Sequence, residues 1–109
     1  MRYEVLITPS AERDLEQLVD YIADHDSPAR ADHVLAKLLD VISGLASFPE
    51  RGSFAKELLT LGVRDFPQVF FKPYRVIYRV AGAQVFIMVV VDARRDLQAL
   101  LARRLLSDC

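Results

Sequence analysis

The sequence has 109 residues, 52% of them hydrophobic and 27% charged, which excludes a disordered chain and fits one folded domain burying roughly two-thirds of its unfolded surface. A single cysteine, Cys109, excludes an internal disulfide framework, and the longest apolar run, "VFIMVVV" at 85–91, falls far short of the ~20 residues a membrane-spanning helix needs. The net charge of −1 hides an asymmetry: residues 1–63 hold 6 Lys/Arg and 11 Asp/Glu, a net of −5, whereas residues 64–109 hold 8 and 4, a net of +4, so the second half either attracts an anionic partner or pairs with the first.

The opening stretch, "MRYEVLITPSAERD", meets acidic residues at once and has no signal-type apolar region, so a cytoplasmic setting is expected. Residues 3–8, "YEVLIT", read as a short strand. Thr8 then suits an N-cap and Pro9 the first helical position. Ala11, Leu15, Leu18, Val19 and Ile22 recur at spacings of three and four, giving one apolar face. Ser27 and Pro28 repeat the start signal for a second helix, whose stripe is Ala31, Val34, Leu35, Leu38, Ile42 and Leu45. The short connection predicts an antiparallel helix hairpin.

"SFPERGSF", 47–54, reads as a loop, and "AKELLTLG" as a short helical turn. From Gly62 the period changes to two. "VRDFPQVFF", 63–71, is a strand weakened by Pro67, as suits an edge or a bulge. "YRVIYRV", 74–80, sets Tyr74, Val76, Tyr78 and Val80 on one face and Arg75, Ile77 and Arg79 on the other. "VFIMVVV" is apolar on both faces and predicts a central strand covered on both sides. "DLQALLARRLL", 96–106, predicts an amphipathic helix with Leu97, Leu100, Leu101 and Leu105 on one face and Asp96 near its start. The order β-α-α-β-β-β-α predicts an α+β fold: an N-terminal helix hairpin on a mostly antiparallel four-stranded sheet, with the other face partly covered by the last helix.

The two histidines, His25 and His33, are eight residues apart and far from Cys109, so no metal-ligand spacing exists and no metal or cofactor is expected. The serines occupy caps, loops and termini rather than a nucleophile elbow, and the four glycines form no phosphate loop. The arginines carry more information. Arg75, Arg79, Arg94 and Arg95 lie on neighbouring strands or at their ends, where strands ~4.8 Å apart can gather guanidiniums into a patch for phosphates or carboxylates. They can equally pair with the acidic half or solvate an open face. Leu100, Leu101 and Leu105 either pack on the sheet or dock a partner. Arg103 and Arg104 suit the C-terminal end of the last helix.

Four segments, "YEVLITPSAERDLEQLVDYI", "FPERG", "PYRVIYRV" and "VVVDARRDL", together resemble the RelE/ParE superfamily of type II toxin–antitoxin toxins over nearly the whole chain. That resemblance implies one of two activities: ribosome-dependent mRNA cleavage in RelE-like members, or poisoning of DNA gyrase in ParE-like members. It also implies a cognate antitoxin, ParD-like with a ribbon-helix-helix domain, that wraps the toxin into a hetero-oligomer. For a RelE-like site the matching residues are Arg75, Arg79, Arg94 and Arg95, with Tyr78 as a substitute base. The usual Tyr or His near the C-terminus has no counterpart after Arg95, and arginine does not act as a base near neutral pH. The helical tail continues past the last strand, as in ParE-like members, so a gyrase poison without catalytic residues is the expectation. The resemblance and the charges assign partner binding to Arg64, Arg75, Arg79, Arg94, Arg95, Leu100, Leu101, Arg103 and Arg104.

Overall fold

The computed structural model describes residues 2–60, 62–94 and 97–105. Strand β1 (Glu4–Ile7) leads into helices α1 (Pro9–His25) and α2 (Pro28–Gly44). Strand β2 (Ser53–Phe54) and the single turn α3 (Lys56–Leu59) follow, then the meander β3 (Pro67–Phe71), β4 (Tyr74–Ala81) and β5 (Gln84–Asp92), and finally α4 (Gln98–Leu105). The sheet order is β1-β5-β4-β3-β2, with β1 parallel to β5 and every other pair antiparallel.

Both long helices begin as their sequences dictate. Thr8 and Ser27 are extended residues whose hydroxyls accept from the N–H groups of Ala11 and Arg30, and a proline follows each cap, where its missing N–H costs nothing. The apolar stripes of the hairpin bury Ala11, Leu15 and Ile22 from α1 and Ala31, Val34, Leu38 and Ile42 from α2. They meet Val69, Tyr74, Val76, Tyr78, Val85, Ile87 and Val90 on one face of the sheet.

The opposite face differs from expectation in being well covered. Ile77, Val89 and Val91 pack there against Ala55, Leu58, Phe66, Leu97 and Leu101, so α3 and α4 together close a second core. Doubly covered β5 is thus the axis of the fold, as its apolar run requires. The sheet also has five strands rather than four. The extra one, β2, is two residues long, within the stretch expected to be loop, and it pairs Ser53 with Gln68 and Phe54 with Pro67. Pro67 therefore opens an inner strand instead of marking the sheet edge. Val80, expected to face the hairpin, is 37% exposed; it lies beyond Ile77, the last β4 residue paired with β3.

The loop before β2 is tied down by one side chain. Tyr78 Oη donates to the Pro49 carbonyl at 2.8 Å and accepts from Gly52 N–H at 3.1 Å. Gly52 is required by that approach: a Cβ there would lie 2.5 Å from Tyr78 Oη and 2.8 Å from the Gln68 carbonyl oxygen. Gly52→Ala is therefore expected to lower unfolding stability by about 1–3 kcal/mol, the usual range for overpacking a tight site, measured as a reduced urea midpoint.

Candidate functional site

The β1 pairing covers only the first part of β5, from Gln84 to Ile87. Thr8 ends it: its N–H and its hydroxyl both donate to the Ile87 carbonyl, at 3.2 and 2.7 Å. Immediately afterwards β5 bulges. Tyr78 pairs with Ile87 and Ile77 with Val89, so Met88 has no opposite residue on β4. Beyond this point side chains replace the missing neighbour strand. Asp14 of α1 accepts from Val90 N–H at 3.1 Å, and Arg104 of α4 donates to the Met88 carbonyl at 3.0 Å. Arg104 also holds Asp14 through two parallel bonds of 3.0 Å, the planar fork geometry that makes such pairs directional. Both side chains are largely shielded, at 22% and 15% exposure.

This clasp closes one end of a cleft of about 680 Å³ between α1 and α4, floored by Val89, Val90, Val91 and Asp92. Leu18 and Tyr21 line one wall and Leu100 and Arg103 the other. Arg94 stands at the rim, bonded through Nε and Nη2 to the Asp92 carboxylate at distances down to 2.6 Å, which pushes its pKa up. Its side chain is nevertheless 72% exposed. Tyr21 is 61% exposed and stacks on His25 with ring centroids 4.1 Å apart.

The arginines expected to share one patch are distributed instead. Arg75 and Arg79 do face the α4 side of the sheet, as the alternation predicts, but Arg75 is half-buried and Arg79 is exposed four residues further on. Arg79 pairs in register with Phe86, whereas Tyr74 pairs with Asp92, so Arg79 and Arg94 sit toward opposite ends of the β4–β5 pair. Neither Arg75 nor Arg79 lines the cleft, which draws on Arg94, Arg103 and Arg104. Arg64 is exposed in the loop before β3. Arg95 lies outside the described residues. Leu101 is fully buried and serves the second core, while Leu100 remains half-buried against the cleft. The cleft residues of α1, Asp14, Leu18 and Tyr21, carry no sequence signal that separates them from the rest of an amphipathic helix.

Tyr78 lies on the hairpin face, away from Arg75, and is fully buried. Burial pushes its phenol above the ordinary value of 10.0, against the opposing effects of the Gly52 N–H and the Arg51 charge. Its oxygen is committed to the 49–52 loop, so it is unsuited to taking a proton from a substrate held on the arginine face. Among the described residues no group of His, Cys, Asp and Glu is arranged to hold a metal ion.

Two tests follow from this geometry. Asp14→Ala and Arg104→Ala should each cost about 2 kcal/mol, since each leaves a shielded charge and a strand group unsatisfied; the double variant should cost clearly less than the sum, as a denaturant double-mutant cycle would register. For Tyr78, a proton held more tightly in the folded chain stabilises the fold below the unfolded value of 10.0, and that contribution is lost as pH rises through the folded value. The urea midpoint of the wild type should therefore fall more steeply above pH 10 than that of Tyr78→Phe.

Residues 5–97 match the family described as ParE toxin of type II toxin-antitoxin system, parDE. Toxin ParE3 of Caulobacter vibrioides is 28% identical over 100 residues, covering 92% of this chain and 96% of that protein. Among solved structures, the chromosomal ParDE system of P. aeruginosa superposes with a TM-score of 0.70 at 16% identity, over 84% of this chain and 96% of that one. The toxin–antitoxin complex RelBE2 of Mycobacterium tuberculosis gives a TM-score of 0.60 at 26% identity, over 84% and 92%.

Proposed function

The chain belongs to the ParE toxin family of type II toxin–antitoxin systems, and from that premise we propose that it poisons DNA gyrase and is held silent by a cognate antitoxin. The observation that carries the gyrase reading is the state of Tyr78. Cleaving RNA through its 2′-hydroxyl needs a positioned proton acceptor as well as cations to stabilise the developing phosphate charge. Arginines are available on the sheet, but the tyrosine that would serve them is buried on the other face and bonded to Pro49 and Gly52. The two histidines are remote from that face as well: His25 ends α1 and His33 lies in α2, edge-on to Phe71. A protein that acts by holding another enzyme in a cleaved-DNA state needs surfaces rather than an acid–base pair, and this chain offers surfaces.

The antitoxin reading rests on the same family and on charge. The solved ParDE and RelBE2 relatives are toxin–antitoxin systems, and the second half of this chain carries the net positive charge that an acidic, partly disordered segment would complement. No described helix is long and apolar enough to cross a membrane. The functional test is direct. Purified toxin should inhibit gyrase supercoiling and accumulate cleaved DNA, and translated mRNA should stay intact after induction. Ribosome-bound mRNA cut while gyrase is untouched would assign the RelE-like activity instead, and harmless induction would leave only an antitoxin-binding module.

A further inference from the structure

We propose that the cleft between α1 and α4, rather than the arginine-bearing face of β4, receives the acidic segment of the antitoxin. This rests on the toxin–antitoxin reading above and specifies where the partner lies. The sheet face once expected to do so is occupied by the protein's own core: Ile77, Val89 and Val91 are buried there under α3 and α4. Only its margins remain open, at Arg79 and at Phe70. The cleft, in contrast, combines apolar lining, backbone polarity and unspent positive charge in one place.

Each of these features fits the same occupant. The walls present Leu18, Tyr21 and Leu100, which suit one or two apolar side chains of an incoming segment. The floor is the end of β5, which among the described residues has no neighbouring strand on that side beyond Ile87. Val90 N–H points into it, toward Asp14, and within an extended residue the N–H and C=O point to the same side, so the Val90 carbonyl faces the cleft too. A segment running along the floor gains a main-chain partner there, as in strand addition. The cleft's carboxylates are already matched, Asp14 by Arg104 and Asp92 by Arg94. Arg103 is then the surplus cation: it is exposed and has no ion-pair partner among the described residues. Arg94 adds capacity, since Nη1 is not used in its bonds to Asp92 and guanidinium donors accept a second carboxylate readily. The Asp14–Arg104 clasp pins α4 against α1, so the cleft is formed before the partner arrives and less ordering is needed on binding.

The test is a binding titration of the full-length toxin with the purified full-length antitoxin encoded beside it. Arg103→Glu and Tyr21→Ser change exposed positions, so circular dichroism should report an intact fold for both. Each should weaken the complex at least tenfold, and together about a hundredfold, while Arg79→Glu on the sheet face changes affinity less than threefold. Cleft variants that bind like the wild type, or a loss confined to Arg79→Glu, would overturn the placement alone. Cleft variants that keep antitoxin affinity but lose gyrase inhibition would also overturn it and give the cleft to the target. A wild-type chain with no affinity for the antitoxin would remove the functional reading and this inference together.

Discussion

The end of β5 is the point on which this small structure turns. β1 has four residues and β5 has nine, so the longer strand outruns its parallel neighbour and its backbone groups must find other partners or stay with water. Buried backbone polarity left unpaired costs as much as a lost hydrogen bond. The fold answers with three side chains in succession: Thr8 on the Ile87 carbonyl, Arg104 on Met88 and Asp14 on Val90. Thr8 simultaneously caps α1, and Arg104 belongs to the last helix. One stretch of unpaired strand therefore determines where α1 begins and where α4 docks. The cleft is the space those two helices leave beside the strand they complete.

Much of this architecture was legible in the residue pattern, for local reasons. Proline after Thr or Ser is a helix-start signal within three residues, and both long helices start there. The alternation of "YRVIYRV" put Tyr74, Val76 and Tyr78 on one face and Arg75 and Ile77 on the other because β4 itself has no inserted residue. The bulge lies in β5, at Met88, inside a run so uniformly apolar that no period is visible. What escaped the sequence depends on pairing over long separations. β2 is two residues that become a strand only because Gln68 and Pro67 lie opposite. Asp14 is one acid among Glu12, Glu16 and Asp20 on the same helix, and only its bonds to residues 76 and 90 positions away single it out. Arg104, read as a complement to its helix dipole, is instead a tie between α4, α1 and β5. Leu101, offered as a docking residue, proved to be core.

The arginines of this chain show why a fold shared by different toxins does not by itself set an activity. Identical guanidiniums do different work according to what surrounds them. Arg104 is engaged in holding the structure, Arg94 leans on Asp92 while remaining open to solvent, and Arg79 and Arg103 are exposed. A nuclease site would need at least one of these beside a group able to take a proton near neutral pH. Tyr78, one of two tyrosines on the arginine strand, is committed to the 49–52 loop, where burial drives its phenol further from that range. That commitment also explains Gly52, whose missing Cβ is what allows the phenol to reach the loop. The same side chain thus ties the loop to the sheet and, with its oxygen bonded to Pro49 and Gly52, is withheld from acid–base chemistry on the arginine face.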